Sequence, residues 1–198
     1  MNKEQLLESL KMHGFSEEIV NAFSKVKREN FIPEDEIGFA YYDEPLPIGY
    51  GQTISQPYTI AFMLNLLELK DEQKILEIGS GSGYVLALIN QLGRNLKIYG
   101  VECIGELVKK SKSILKNHSN IKIIYGSGFK GLKKYAPYDR ILISASANEI
   151  PQDLIKQLKN NGVLVIPVKN SIFQIKKTKK KIIKKEFPGF VFVPLIEN

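Results

Sequence analysis

Apolar residues fall at helical spacing in the first third of this chain and in short continuous runs after it. Over residues 3–12, Leu6, Leu7 and Leu10 share one face, and Gly14 marks a stop. Ser16, followed by Glu17 and Glu18, opens a second helix with Ile19, Ala22, Phe23 and Val26 on its apolar side. Residues 31–56, FIPEDEIGFAYYDEPLPIGYGQTISQ, have no clear period. A stretch of that length without periodicity is uncommon inside a small domain and is usually functional or disordered; its tyrosines and isoleucines argue against disorder. Pro57 begins a third helix, with Ile60, Met63, Leu64 and Leu67 on one side.

From residue 74 the chain alternates. KILEIG, KIYGVE, IKIIYG, DRILISAS and VLVIPV read as buried strands. YVLALINQL, IGELVKKSKSILKN and PQDLIKQLKN, the last closed by Gly162, read as helices between them. This rhythm implies an α/β, Rossmann-like, doubly wound and mostly parallel sheet of seven strands. IFQIKK, KIIKKEF and FVFVPL near the end predict an antiparallel hairpin plus an edge strand. The expected organisation is a single domain over 1–198. Its parts are N-terminal helices and a loop (1–56), a core (57–168) and C-terminal strands (169–198).

Composition narrows the class. The 198 residues are 43% hydrophobic and 25% charged, which suits a globular domain with a real core. No run approaches the roughly 18 apolar residues of a membrane span, and the first residues are too polar for a signal peptide. The one cysteine, Cys103, excludes an internal disulfide, and His13 and His118 have no ligand-spaced partners. We expect a cytoplasmic protein without a metal. The net charge of +7 equals the seven lysines at 176, 177, 179, 180, 181, 184 and 185, so the rest of the chain is neutral. Such a run is a solvated strand edge guarded against pairing, or else a patch for nucleic acid or an acidic partner. No aromatic residue is interleaved with the lysines, so nucleic acid is not the expected partner.

The candidate chemistry begins at LEIGSGSGY, which puts Gly79, Gly81 and Gly83 between a strand and a helix. Glycines let the backbone turn sharply and approach a ligand, and the helix start offers free N–H groups. The third glycine comes one residue too early for the dinucleotide fingerprint, and no Lys-Ser or Lys-Thr follows as in a phosphate-binding loop. Glu102 ends the next strand, where a carboxylate can accept hydrogen bonds from ribose hydroxyls or simply face solvent. Loop and carboxylate together favour a nucleoside ligand without a large phosphate load. S-Adenosyl-L-methionine fits, with Glu77 and the loop at its methionine end and Glu102 at its ribose.

The segments GYGQTISQPY, LEIGSGSGY, VECIGELV, APYDRILISASANEIPQDLIKQLKNNGVLVIPV and FVFVPL resemble the protein L-isoaspartyl O-methyltransferases, within the class I methyltransferases. The resemblance covers nearly all of the chain from about residue 20. It implies methyl transfer from S-adenosyl-L-methionine to the free α-carboxylate of L-isoaspartyl residues in damaged proteins or peptides, by a protein read here as a monomer. The ester then closes to a succinimide, and hydrolysis returns some normal aspartate. A carboxylate is already ionised at neutral pH and needs no general base, in keeping with a sequence that has no His pair or Cys–His pair near these motifs.

By the same resemblance, Thr53, Ile54 and Ser55 lie over the methyl donor and line the acceptor pocket, with Ser55 catalytic. Donor contacts carry over to Glu77, Gly79, Ser80, Gly81, Gly83, Glu102, Cys103, Gly126, Ser127 and Gly128, and substrate contacts to Val193, Pro194 and Leu195. Each has a plainer reading. Ser55 and Gln56 would also serve as caps of the helix at Pro57, Cys103 as a small packing residue, and FVFVPL as an ordinary core strand. The chain departs from the family at Ser127, where an Asp contacting adenine is usual, and at Ser144 and Ser146 in a strand end usually rich in alanine. It also lacks the glycines common after PV.

Overall fold

The computed structural model describes residues 1–195; the last three positions of the expected C-terminal segment lie outside them. Two helices open the chain, α1 (Lys3–Met12) and α2 (Glu17–Lys25). Asn2 and Gln5 cap α1 reciprocally, and the Ser16 hydroxyl accepts from the Ile19 N–H to cap α2. Residues 31–56 are more ordered than their lack of period suggests. They hold a short 3₁₀ helix (Glu34–Phe39) and a hairpin of β1 (Leu46–Gly49) and β2 (Gln52–Ile54). Tyr50 and Gly51 both take positive φ, +56° and +70°, as a two-residue type I′ connection requires. Helix α3 (Pro57–Leu67) follows, with proline at its first position as expected.

The main sheet has seven strands: β3 (Lys74–Ile78), β4 (Lys97–Glu102), β5 (Ile121–Tyr125), β6 (Tyr138–Ile143), β7 (Leu158–Val168), β8 (Ser171–Lys177) and β9 (Ile182–Pro188). Their order is β5-β4-β3-β6-β7-β8-β9, with β3 to β7 parallel and the last two pairings antiparallel. Helices α4 (Tyr84–Gln91), α5 (Gly105–Ile114) and α6 (Gln152–Gln157) are the crossovers. Alternate strand residues feed two cores. Ile75, Ile98, Leu142 and Val165 join the face covered by α1 to α5, while Leu76, Val101, Ile143 and Leu164 join the α6 face. The chain leaves β3 toward β4 on one side and enters β6 on the other, so the carboxyl ends of β3 and β6 flank a switch point, where such folds bind ligands.

Two expected elements differ. The helix read over 151–160 ends at Gln157, and β7 already starts at Leu158, which pairs with Tyr138. The reason is tertiary: the Lys177 ammonium donates to the Ile155 and Leu158 carbonyls, closing the helix, and the Lys159 ammonium holds Asp139 at 2.8 Å. FVFVPL is not an edge strand; β9 is the edge. Gly189, at φ +97°, turns the chain back, and Phe190 stacks on Phe62 of α3. The segment then crosses the carboxyl end of β6, where Ser146 accepts from Leu195 N–H and donates its own N–H to the Val193 carbonyl, both at 2.8 Å.

Candidate active site

The glycine loop is bent by its residue types. Gly79, Gly81 and Gly83 all have positive φ, a conformation that side chains with a Cβ rarely adopt. Gly79 and Ser80 donate to the Val101 carbonyl at 2.9 and 3.2 Å, and Gly81 donates to Glu102 Oε2 at 2.8 Å. The other oxygen of Glu102 accepts from Ile104 N–H at 2.9 Å. Glu102 is 5% exposed, so it is no solvated strand-end glutamate. Its two oxygens are fixed by backbone donors and retain lone pairs that border the cleft.

Two cavities border this loop, and a third adjoins them at Thr53. The first runs over Gly79, Gly81, Glu102, Cys103, Gly126 and Gly128 at the carboxyl ends of β3 to β5. That position beside the switch point is where such folds bind ligands. A second hollow lies under it, lined by Ile54, Ser55, Glu77, Ser80 and Ser144. A third groove opens outward between Ser55, Gln56 and Thr59 on one side and Val191, Phe192 and Val193 on the other. Thr53 lines all three, and Ser55 lines the hollow and the groove.

Under the cleft sits Glu77, 1% exposed. Ser144 donates its hydroxyl to Glu77 Oε1 at 2.7 Å, while Oε2 has no partner among the described residues. Burial pushes the Glu77 carboxyl up to about 8; the Ser144 hydrogen bond opposes this, and the Glu102 charge adds to it. Ser80 Oγ is likewise buried without a partner. These two orphaned polar atoms, with a glycine cradle in which a Cβ on Gly81 would press Ile48 Cδ1 at 3.1 Å, fit a polar ligand that enters from the cleft. Cys103 is half-buried on the cleft wall, and burial, with the Glu102 charge, pushes its thiol up, so it lines the cleft as a neutral group.

The Ser55 turn is held from outside. Ser55 does not cap α3: the N-cap residue is Gln56, without a side-chain capping bond. Asp43 takes that role across the loop, accepting from Tyr58 N–H at 2.8 Å and from Gln56 Nε2 at 3.0 Å. On the other side the Arg28 guanidinium donates to the Ser55 carbonyl at 3.1 Å. Ser55 Oγ therefore stays uncommitted among the described residues, on the cavity wall.

Most expected site residues converge here: Thr53, Ile54, Ser55, Glu77, Gly79, Ser80, Gly81, Glu102, Cys103, Gly126 and Gly128 all line the cleft or the hollow. Two do not. Gly83 packs under Leu115 and Ser111 and serves as the start of α4. Ser127 turns off the lining, whereas Gly126 and Gly128 remain on it. Of the expected substrate contacts, Val193 lines both the groove and the cleft, whereas Pro194 and Leu195 line the cleft alone, because the Ser146 bonds draw them inward. Gln52, Gln56, Thr59, Val191 and Phe192 also line these walls without having been expected as site residues, and Arg28 and Asp43 brace the turn from outside. The signal available for Asp43 and Arg28 was weak: charged residues within or just before an irregular stretch.

The protein-L-isoaspartate(D-aspartate) O-methyltransferase family model matches residues 1–198. A protein-L-isoaspartate O-methyltransferase of Fervidobacterium nodosum is 45% identical over 197 residues, spanning 96% of this chain and 99% of that protein. One of Methanococcoides burtonii is 44% identical over 198 residues, spanning 96% and 98%. A solved protein-L-isoaspartate O-methyltransferase superposes with a TM-score of 0.91 at 26% identity, covering all of this chain and 67% of that one. A Plasmodium falciparum beta-aspartate methyltransferase structure, in complex with S-adenosyl-L-homocysteine, superposes with a TM-score of 0.86 at 30% identity over the full length of both chains.

Proposed function

Since this chain belongs to the protein-L-isoaspartate(D-aspartate) O-methyltransferase family, we propose that its three joined cavities are the donor and acceptor halves of one methyl-transfer site. The protein is an S-adenosyl-L-methionine-dependent protein-L-isoaspartate O-methyltransferase. One observation carries the site assignment: Thr53 is common to all three cavities, and Ser55 joins the inner hollow to the outer groove.

S-Adenosyl-L-methionine, when bound, supplies an activated methyl group on a sulfonium. The residues that would hold it are Glu102 at the ribose, Gly79 and Gly81 along the backbone, and Glu77 with Ser80 toward the methionine end. The outer groove takes the L-isoaspartyl segment between Gln56 and Val193. Its wall of Pro45, Thr59, Val191 and Phe192 carries no charge that would repel a carboxylate. Ser55 Oγ donates a hydrogen bond that orients that carboxylate. No protein group has to remove a proton, so the task is alignment, which contributes on the order of 7–11 kcal/mol in well-oriented reactions. The C-terminal strap over the cleft limits water around the reacting charges. A cytoplasmic, monomeric state belongs to this reading.

The test uses labelled donor with two peptides that differ only in isoaspartate against aspartate. Methylation confined to the isoaspartyl peptide is expected. Equal labelling of both would point to a different carboxylate substrate, and no labelling with intact S-adenosylhomocysteine binding would reject the activity.

A further inference from the structure

Arg28 is the largest fully buried side chain, at 0% exposure, and it lies outside all three cavities. Its Nη1 donates to the Ala40 and Tyr42 carbonyls at 3.0 and 3.1 Å, and its Nη2 to the Glu44 and Ser55 carbonyls at 2.9 and 3.1 Å. None of these four acceptors is a carboxylate. Burying a guanidinium is costly; the Asp43 carboxylate nearby favours its charge without bonding it, and Nε has no partner among the described residues, so the burial needs a compensating return. Residues 40–44 belong to no strand or helix, so their carbonyls have no ladder partners, and Arg28 supplies the donors instead. The fourth bond reaches beyond that loop to the turn that carries Ser55. Asp43, within the same loop, grips the next two links, the Gln56 amide and the Tyr58 N–H.

We propose that Arg28 and Asp43 are positioning residues that clasp the Ser55–Gln56 turn, one by its carbonyl and the other by the side chain and backbone that follow. The clasp rests on the methyl-transfer reading above, and it assigns these residues to the aim of the Ser55 hydroxyl and not to donor binding. With the carbonyl of 55 and the N–H of 58 both tied, the backbone of the turn is fixed, which sets where the Ser55 Cβ, and from it Oγ, meets the wall between hollow and groove. Arg28 keeps its charge at neutral pH although burial lowers it to about 10. The bonds are therefore those of a cation to carbonyl oxygens, stronger than neutral ones.

Three variants test this, Asp43→Ala, Arg28→Met and Arg28→Lys, read as kcat and KM on the isoaspartyl peptide with S-adenosylhomocysteine affinity measured by calorimetry. Asp43→Ala removes both acceptors at once, whereas asparagine would keep the pair once the Gln56 amide flipped. A shift of about 1 Å in a positioned group costs up to roughly 10²-fold. We expect kcat to fall at least about 10-fold in Asp43→Ala, with KM and S-adenosylhomocysteine affinity within about 3-fold of wild type. Arg28→Lys keeps a cation with three donors and should recover part of the kcat lost in Arg28→Met. Asp43→Ala leaves the guanidinium and its four carbonyl acceptors in place, and so decides the matter where Arg28 variants do not fold. Unchanged kcat in Asp43→Ala, or a kcat loss matched by an equal loss of S-adenosylhomocysteine affinity, overturns the clasp. An inactive wild type that still binds S-adenosylhomocysteine would instead reject the methyl-transfer reading on which it rests.

Discussion

Ser55 Oγ has neither donor nor acceptor inside the described protein, although the turn around it is tied at three points. A hydroxyl left free on a rigid turn is suited to a ligand atom. Ser55→Ala should lower kcat about 10- to 100-fold, the loss of one hydrogen bond that leaves a charged partner short. S-Adenosylhomocysteine affinity should stay within about 2-fold, since Ser55 shares a wall with the donor while Glu102, Glu77 and the glycine loop make its polar contacts; steady-state kinetics and calorimetry check both. Gly83 makes the opposite prediction. At φ +87°, with an added Cβ only 2.9 Å from Leu115 Cδ1, it is a folding residue. Gly83→Ala should cost about 1–3 kcal/mol in a urea titration through backbone strain and overpacking. The glycines and Glu102 were legible in the sequence because their residue types meet a backbone demand. Arg28 was not, because its partners are main-chain carbonyls, which every residue has and no pattern marks.

At the scale of elements, periodicity located helices and strands wherever a single face or a buried run decided them. The limits of KIYGVE coincide with β4, and those of the first helix with α1. Periodicity misplaced the end of α6 because a side chain twenty residues later ends that helix: Lys177 lies at 2.9 and 2.7 Å from the Ile155 and Leu158 carbonyls. Lys177→Met removes both bonds and should cost about 1–3 kcal/mol in chemical unfolding while leaving kcat per folded molecule unchanged. The lysine run is thus divided in its work. Lys177 closes a helix, Lys176 pairs with Glu68, and Lys184 and Lys185 lie on the exposed edge strand β9 beside Ile183. An edge strand with exposed isoleucines invites pairing, and flanking charge resists it. FVFVPL was misread for the same reason as α6: alternation promises a strand, but Gly189 and the Ser146 bonds settle where the segment goes.

For the whole molecule, one buried carboxyl ties stability to pH. Glu77 belongs to the interior strand β3, with both sheet faces packed around it, and burial raises it from 4.5 to about 8. Between those values the folded protein holds a proton on Glu77 that the unfolded chain has released. The folded state then binds more protons than the unfolded one, so stability falls as pH rises, by at most about 1.4 kcal/mol per pH unit from this group. Below about 4.5 both states are protonated and Glu77 contributes no slope; above about 8 both are ionised and its loss is complete. Urea titrations of the ligand-free protein at pH 5.5, 6.5 and 7.5 should therefore show a decline that Glu77→Gln removes, since glutamine keeps an acceptor for the Ser144 hydroxyl and carries no charge. Ser144→Ala should act the other way. It removes the hydrogen bond that lowers Glu77, so the decline should persist to higher pH than in wild type. Equal slopes in wild type and Glu77→Gln would mean that the carboxyl is solvated or paired in solution, and the orphaned oxygen beneath the donor cleft would lose its meaning as a place kept for a ligand.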